Sequence, residues 1–442
     1  MPTVFLVFGA FVALLTVWGL VPVRSWAILF PAFLASFLGT GLAGWWLLFI
    51  VVTTVVLGAF GAFGSWLGWI GLVFVLVAVA GLVQQALRAR RGAIEFDRVL
   101  AARVAARERT RRRPRSVLLP WSMRDLEVER TRNVRYAEGA GRRHLLDVYR
   151  AKVHGPPSPV LLQIHGGGWT VGTKNTQGRP LMNQLARAGW VCVAANYRLS
   201  PRARWPAHLV DCKAALAWVR ANIHEYGGDP TRIVVTGGSA GGHLTAMLAL
   251  TQNAPQYQPG FEDVDTSVIG AIPMYGAYDL VDIFTGFRSR LGRRIAGWMG
   301  ALVLGTTPQH DPGAFLDASP MSHIDDRDAG TPFLVVHGTV DNLVPVEQAR
   351  RFVAQLREAG ADVTYVELAG APHAFDVFHS TWEHASTTGI EWWLSSVVSV
   401  ATSGPPPEPP VDPISGDRPA DVAPSGSEGG DPATSGPTTM AR

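Results

Sequence analysis

A serine surrounded by small residues stands where a strand would turn into a helix. The sequence GGSAG at residues 237–241 follows the apolar run 233–236 and precedes a helical pattern over 243–251. A sharp turn of this kind crowds the serine backbone, so only small residues fit beside it, and the N-terminus of the following helix stabilises negative charge. The context predicts Ser239 as a nucleophile.

Three consecutive glycines form a second candidate element. The sequence HGGGW at residues 165–169 follows the apolar run 160–164. Glycines let backbone N–H groups point into a cavity that side chains would otherwise fill. An oxyanion hole is therefore expected from the N–H groups of Ala240, Gly167, Gly168 and, as a further candidate, Gly166. His165 is expected to hold this loop by hydrogen bonding, and a merely flexible glycine turn is the alternative.

An acid and a base should follow later strands, because the residues of a serine triad meet at the carboxyl ends of a parallel sheet. Asp341 follows the apolar run 333–337, and His373 follows the run 363–368. An imidazole accepts the serine proton, and a carboxylate on its other nitrogen fixes its orientation. The sequence thus predicts a triad of Ser239, His373 and Asp341. The rival base is His379, and the rival acids are Asp325, Asp326, Asp328 and Glu347.

Apolar runs between residues 130 and 400 alternate with helical patterns. These runs cover residues 145–149, 160–164, 191–195, 233–236, 268–274, 333–337 and 363–368. Such alternation predicts an α/β domain with a mostly parallel sheet covered by helices on both faces. Helical spacing over 280–325 interrupts the rhythm, which indicates either a cap over the site or a helix packed on the core.

These ordered motifs resemble the hormone-sensitive-lipase-like branch of the α/β-hydrolases and related acyl esterases. The resemblance rests on HGGGW, GGSAGG, Asp341 and His373, and it covers residues 130–400. It implies an α/β-hydrolase fold and a carboxylesterase that forms an acyl-serine intermediate on a small acyl-ester or lipid substrate, with no metal and no organic cofactor. Many members carry Asp between the glycine and the serine of the turn, where this chain has Gly238. The departure leaves feruloyl-esterase-like and formamidase-like relatives open, and with them an amide substrate.

Three aromatic residues follow predicted strand ends: Trp169, Tyr197 and Tyr275. Aromatic side chains often line apolar pockets, so they are candidates for contact with the acyl or alcohol part of a substrate. Packing in the core is the alternative for each of them.

The N-terminal region is too apolar for a soluble segment. Residues 3–87 contain a single charged side chain, Arg24. Three transmembrane helices are expected near 3–21, 42–61 and 66–87, each long enough to cross about 30 Å of hydrocarbon. The stretch 26–40 is left open as a re-entrant piece, an interfacial helix or a fourth crossing. Because no further ionisable group lies in the region, an anchor is favoured over a transport pathway.

A basic segment follows the apolar region at once. Residues 88–115 carry eleven arginines against three acidic residues, a net charge of +8, whereas the whole chain is +4. Arginines beside a membrane span favour the cytoplasmic side and attract anionic lipids. The sequence thus predicts a multi-pass plasma-membrane protein with a basic, membrane-surface helical linker over 88–129 and a cytoplasmic catalytic domain. Nucleic-acid binding is disfavoured because the segment lies next to the apolar region and has a single aromatic residue, Phe96, among its arginines.

The C-terminal end has the composition of a disordered chain. Residues 401–442 are rich in Pro, Gly, Ser and Thr and almost free of large apolar side chains. Such a segment cannot bury enough apolar surface to fold. A disordered tail is therefore expected there.

Overall fold

The computed structural model describes residues 1–23, 26–101, 103–104, 118–152, 155, 157–285, 290–325 and 330–403. The tail expected over 401–442 lies outside these residues apart from the end of the last helix, as does Arg24. Residues 105–117, which carry six of the eleven arginines of the basic segment, also lie outside them.

An eight-stranded sheet forms the centre of the chain, in the order β1-β2-β4-β3-β5-β6-β7-β8. The strands are Val128–Arg135 (β1), Leu145–Ala151 (β2), Ser158–Ile164 (β3), Val191–Ala195 (β4), Gly228–Gly238 (β5), Gly270–Met274 (β6), Phe333–Gly338 (β7) and Val363–Leu368 (β8). β2 pairs antiparallel with both of its neighbours, β1 and β4, and the pairs from β4 to β8 are parallel. The prediction of a mostly parallel sheet is confirmed.

Helices cover the sheet and form a separate N-terminal layer. They are Pro2–Trp18 (α1), Trp26–Gly41 (α2), Ala43–Ala59 (α3), Trp66–Ala101 (α4), Arg179–Arg187 (α5), Ala207–Asn222 (α6), Ala240–Leu250 (α7), Leu280–Thr285 (α8), Arg290–Leu304 (α9), Pro312–Asp317 (α10), Val346–Glu358 (α11) and Thr381–Ser403 (α12).

The central strands are apolar because both of their faces are buried. Ile233 and Val235 of β5 belong to a core that also contains residues of α6, α7 and α11. Val234, between them, belongs to a second core with residues of α5 and α12 on the opposite face. Alternate side chains of a strand point to opposite faces, so one short apolar run supplies two cores.

The edge strand β1 is absent from the sequence-based prediction. Its sequence VERTRNVR carries charge at four of its eight positions, and only Val128 is buried. One neighbour and one partly exposed face leave such a strand without the apolar run that marks the others. The catalytic domain therefore begins at β1, within the segment assigned to the linker.

One N-terminal helix is long enough to cross a bilayer. α4 has 36 residues, which makes it about 54 Å long at 1.5 Å per residue. Among the described residues, the length and hydropathy required of a span are met by α4 alone, or by two spans if Ile28–Gly41 and Ala43–Ala59, which meet at 94°, count as one. The number of crossings stays a prediction.

Close helix packing joins α1 to α4. A Cβ atom added to Gly71 would lie 3.0 Å from the backbone of Leu6, and one added to Gly9 would overlap the carbonyl of Gly71. Small residues let helix backbones approach in this way.

The sequence predicts that the helix after Arg88 lies at a membrane surface. In the structure the second half of α4 packs against the catalytic domain instead. Ala89, Phe96 and Leu100 are buried in the core behind the sheet. The Arg103 guanidinium, just past the helix, pairs with Asp362 at 2.5 and 2.6 Å. The apolar positions at helical spacing among the arginines cause the difference, because they form a face that must be covered.

Phe96→Ala should destabilise the protein strongly. The ring of Phe96 is fully buried and fills the space beside Gly389 of α12. Its removal leaves a cavity, so we expect the free energy of unfolding to fall by about 3–5 kcal/mol. Urea unfolding of the full chain in detergent, followed by circular dichroism, measures this loss.

Ile94→Ala is the matched control, because Ile94 is on the same helix and 67% exposed. We expect it to change the free energy of unfolding by no more than about 0.5 kcal/mol. Equal small losses in the two variants would contradict the docking of α4.

Candidate active site

Ser239 lies at the turn between β5 and α7. Its backbone has φ 60° and ψ −124°, a combination that side chains rarely adopt. The Ser239 N–H donates to the Met274 carbonyl at 3.0 Å, and the serine remains partly exposed. The neighbouring Gly237 has no room for a Cβ, which would lie 2.5 Å from the Ile164 carbonyl oxygen. The small residues predicted beside the serine are thus required by the closeness of β3.

Gly238 has a specific reason to be glycine. A Cβ at this position would overlap the Tyr275 hydroxyl and lie 2.6 Å from Nε2 of Gln177. The Asp found here in many members of the resembling branch could not be accommodated without moving Tyr275. Glycine at position 238 is thus required by the close approach of Tyr275 and Gln177 to the turn.

The glycine loop lies beside the serine. A Cβ at Gly166 would be 3.1 Å from the Cβ of Ser239. The Gly166 N–H donates to Oε1 of Gln177 at 2.7 Å, which corrects the expectation that it is a candidate for the oxyanion hole, since this donor is already used. Gly167 and Gly168 have positive φ angles of 118° and 57°.

Three backbone N–H groups near the serine remain available. Within the described part of the chain, the N–H groups of Gly167 and Gly168 donate to no protein acceptor. Ala240 is the first residue of α7, where an N–H has no partner within the helix. This arrangement can stabilise a developing oxyanion.

His165 and Tyr197 support the glycine loop from behind. Their rings stack at 4.4 Å, the Tyr197 hydroxyl donates to the His165 carbonyl at 2.9 Å, and His165 Nδ1 lies 2.7 Å from the Gly166 carbonyl. Burial lowers the pKa of His165 to about 4. His165 is thus a neutral support of the loop. Tyr197 is expected from the sequence to line a substrate pocket, but it is fully buried and its hydroxyl is already hydrogen-bonded.

Asp341 and His373 form a hydrogen-bonded pair at the ends of β7 and β8. Nδ1 of His373 lies 2.7 Å from Oδ2 of Asp341. The other carboxylate oxygen accepts from the N–H groups of Leu343 and Val344, each at 2.8 Å. Nε2 of His337 lies 3.3 Å from Oδ2. The rival base His379 instead pairs with Glu383 at 3.4 Å, while the rival acids Asp326 and Asp328 lie outside the described residues.

The charged form of Asp341 is favoured despite its burial. Burial by itself raises the pKa of this carboxyl, but His373, His337 and the hydrogen bonds they make hold the pKa well below its ordinary value. A carboxylate on Nδ1 of His373 leaves the other ring nitrogen to accept a proton.

A hydrogen-bonded chain that the sequence analysis missed links the glycine loop to the histidine loop. Gln177, whose Oε1 accepts from Gly166, donates through Nε2 to the Tyr275 hydroxyl at 2.6 Å. The Tyr275 hydroxyl donates to Oδ1 of Asp376, a buried carboxyl whose pKa is raised by burial. The Tyr275 ring also meets the ring of His373 edge-on at 4.8 Å. Nothing in the spacing of Gln177 or Asp376 marks them as partners.

Trp169 ties the glycine loop to the helical insertion. Its Nε1 donates to Nδ1 of His243 at 3.2 Å, and Nε2 of His243 lies 2.7 Å from the Ala318 carbonyl. Burial lowers the pKa of His243 to about 3. The described part of the insertion over 280–325 forms α8, α9 and α10, with Phe284 against Phe315 at 5.8 Å. Its predicted role as a cap stays a prediction.

Helix α2 lies over the loops that carry His373 and Asn342. The ring of Phe33 is 6.0 Å from that of His373, and Phe37 is 5.0 Å from Phe378. Just before α2, the N–H of Val23 donates to Oδ1 of Asn342 at 2.6 Å. The stretch that the sequence left open is therefore a helix on the base and acid loops.

The BD-FAE family model matches residues 146–356. The probable carboxylic ester hydrolase LipM of Mycobacterium tuberculosis is 46% identical over 275 residues, which are 61% of this chain and 62% of that protein. Esterase LipQ of the same organism is 46% identical over 250 residues, 56% of this chain and 58% of that protein. The chain thus spans about three fifths of the length of these relatives, and the matched domain is similar to carboxylic ester hydrolases, as predicted.

Solved structures show the fold of this domain. A truncated carbohydrate esterase from gut microbiota has a TM-score of 0.52 at 24% identity, covering 61% of this chain and 96% of its own. Esterase B from Lactobacillus rhamnosis has a TM-score of 0.54 at 18% identity, covering 72% of this chain and 97% of its own. The domain has the α/β-hydrolase fold.

Asp341→Asn should lower stability in a pH-dependent way. The pKa of Asp341 is depressed in the folded protein, so its contribution is present above the unfolded pKa of about 3.9 and is lost as the pH falls towards the folded pKa. At pH 7 we expect the variant to lose on the order of 2 kcal/mol in the free energy of unfolding. Urea unfolding between pH 7 and pH 3 should show this deficit shrinking.

Asp263→Asn supplies the control, because Asp263 is exposed. It should show no comparable deficit at any pH. A deficit for Asp341→Asn that stays constant down to pH 3 would argue against a depressed pKa.

Proposed function

We propose that the chain is a membrane-anchored serine carboxylesterase that hydrolyses acyl esters through an acyl-enzyme intermediate. The observation that carries the proposal is the Asp341–His373 pair at the ends of β7 and β8, in the same sheet whose strand β5 ends at the strained Ser239. Similarity of the domain to carboxylic ester hydrolases supports the same reaction class.

The first half of the reaction acylates Ser239. Oγ of Ser239 attacks the ester carbonyl carbon while Nε2 of His373 accepts its proton, and Asp341 holds the opposite ring nitrogen. The tetrahedral oxyanion is stabilised by the N–H groups of Gly167, Gly168 and Ala240. Its collapse breaks the bond to the alcohol oxygen, which leaves with the proton from His373.

The second half releases the acid. His373 removes a proton from water, which attacks the acyl-serine carbonyl through the same oxyanion site. Collapse returns the proton to Ser239 and yields a carboxylic acid. The sum is ester plus water to acid plus alcohol, and the mechanism needs no metal or organic cofactor.

Ser239→Ala should abolish hydrolysis, because no other group supplies the nucleophile. Without it kcat should fall by on the order of 10⁶-fold. For Asp341→Asn we expect kcat to fall by on the order of 10⁴-fold, because His373 would adopt the wrong tautomer, as in a protease triad. Initial rates on p-nitrophenyl esters of two to sixteen acyl carbons, with the full chain in detergent, measure both. Ser322→Ala, at an exposed serine, is the control.

A formyl-amide substrate and a fluorophosphonate probe, added to these measurements, separate the alternatives. An arylformamidase-like amide hydrolase, which Gly238 leaves open, would use the same triad and turn over a formyl-amide faster than any ester. A non-catalytic scaffold would show no serine-dependent turnover and no labelling by a fluorophosphonate. Full activity of Ser239→Ala would end the proposal.

The anchoring part of the proposal rests on the apolar N-terminal helices. α4 is long and apolar enough to cross a membrane, and many large apolar side chains of α1, α3 and α4 are exposed. The arginines that begin at Arg88 favour a cytoplasmic catalytic domain facing anionic lipids. We infer a multi-pass anchor in the plasma membrane.

The full chain should remain in membranes after an alkaline carbonate wash, because apolar spans are not held by charge.

A protease added to intact cells should spare a C-terminal tag and cleave it after permeabilisation. Release by carbonate would remove the anchor, and cleavage in intact cells would reverse the predicted sidedness.

A further inference from the structure

α2 separates the catalytic histidine from an apolar cavity. On one side of the helix, Phe33 contacts His373 and Phe37 packs on Phe378. On an adjoining side, a cavity of about 330 Å³ opens among α1, α2, α3 and α4. Its lining includes Leu15, Trp18, Leu34, Ala35, Leu38 and Gln85. An α-helix with its side chains is about 10–12 Å thick, so the cavity lies about one helix diameter from the catalytic loop.

The cavity has the character of a ligand site. Its volume is at the lower end of the range for small-molecule pockets, and its lining is apolar apart from few polar groups. Oε1 of Gln85 is buried and accepts no hydrogen bond from the described part of the chain. An unpaired buried acceptor is unfavourable until a donor arrives. A hydrocarbon chain that carries a hydroxyl would satisfy both the apolar wall and Gln85.

The outward side of α2 is suited to lipid. Phe30 is 68% exposed, and Leu34 and Leu38, which also line the cavity, are 42% and 40% exposed. Contiguous apolar exposure of this kind marks a surface that meets another apolar phase. α2 thus borders the outer apolar phase, the cavity and the catalytic loop.

The catalytic loop lies at the level where the apolar layer ends. Arg88 is the first charged residue of α4, and its guanidinium donates to the Leu20 carbonyl at 2.7 Å. Its side chain packs beside Gly370, where an added Cβ would lie 2.9 Å from the Arg88 Cβ. Gly370 is three residues before His373. A molecule with its chain in the apolar layer and its ester at the boundary would therefore present the carbonyl near the base.

We propose that the substrate is a long-chain, hydroxyl-bearing lipid ester taken from the bilayer, whose hydrocarbon chain lies in the cavity beside α2. This inference rests on the proposed esterase function and names its substrate class. Each methylene buried is worth about a fourfold gain in binding, so longer chains are favoured until the cavity is filled.

Ala35→Trp tests the proposal by filling the cavity. The full chain in phosphatidylcholine vesicles hydrolyses p-nitrophenyl palmitate and acetate, and the measured quantity is the ratio of their kcat/KM values. The variant should lower this ratio by about tenfold or more, since several methylenes lose their place. Ala59→Trp, at an exposed position of α3 outside the cavity, should change it by no more than about twofold. Equal ratios in the two variants would overturn the proposal.

A binding measurement keeps the test independent of turnover and of the folding of the variant. A monoalkylglycerol ether with a terminal diazirine cannot be hydrolysed, and it is photolysed with the Ser239→Ala chain in the same vesicles. Label should concentrate on the cavity residues Leu15 and Leu82, above outward positions such as Val55 and Val73. Even labelling of cavity and outward residues would overturn the cavity site. Absence of ester turnover by the unsubstituted chain, with the cavity residues still labelled in Ser239→Ala, would instead overturn the esterase function alone.

Discussion

The turn at Ser239 is held by backbone contacts that leave no space for side chains. A Cβ at Gly237 would lie 2.5 Å from the Ile164 carbonyl oxygen, and one at Gly242 would lie 2.5 Å from that of Met274. The positive φ of Ser239 costs about 1–3 kcal/mol, which the contacts around the turn must offset. These contacts come from the parallel neighbours β3 and β6, which pair with β5 on either side. Because β3 leads directly into the glycine loop, the contact that strains the serine also sets the candidate oxyanion donors beside it.

Polar groups behind the serine are fixed by partners on other strands. Gln177, Tyr275 and Asp376 form one hydrogen-bonded chain from the glycine loop after β3 to the histidine loop after β8. One carboxylate oxygen of Asp341 accepts from two backbone N–H groups, and the other faces His373. Donors and dipoles that are already oriented cost no reorganisation when charge develops. The order of the site therefore comes from long-range contacts within one sheet, which explains why its members are spread over two hundred residues.

Local patterns predict what local interactions determine. Strands β4, β6 and β7 are apolar because both faces are buried, and each leaves a run that can be read in the sequence, whereas the charged edge strand β1 leaves none. The triad candidates could be named because each follows such a run. Gln177 and the bonded N–H of Gly166 could not, because their roles exist only once β3 and its loop are folded. The docking of α4 past Arg88 was hidden by composition. The arginines there outnumber Ala89, Phe96 and Leu100, but these three decide which face is buried.

The N-terminal helices differ in how firmly they are held to the catalytic domain. α4 is fixed at both ends, by the glycine contacts with α1 and by Phe96 and Arg103 in the domain. α2 instead carries Pro31 in its interior, which removes a backbone hydrogen bond, and it meets α3 at a sharp bend. Its contacts with the catalytic loops are mainly between aromatic rings, which have no directional bonds to break. Displacing α2 therefore costs less than displacing α4, so access to His373 through the apolar layer needs the movement of one short helix and leaves the rest of the fold in place.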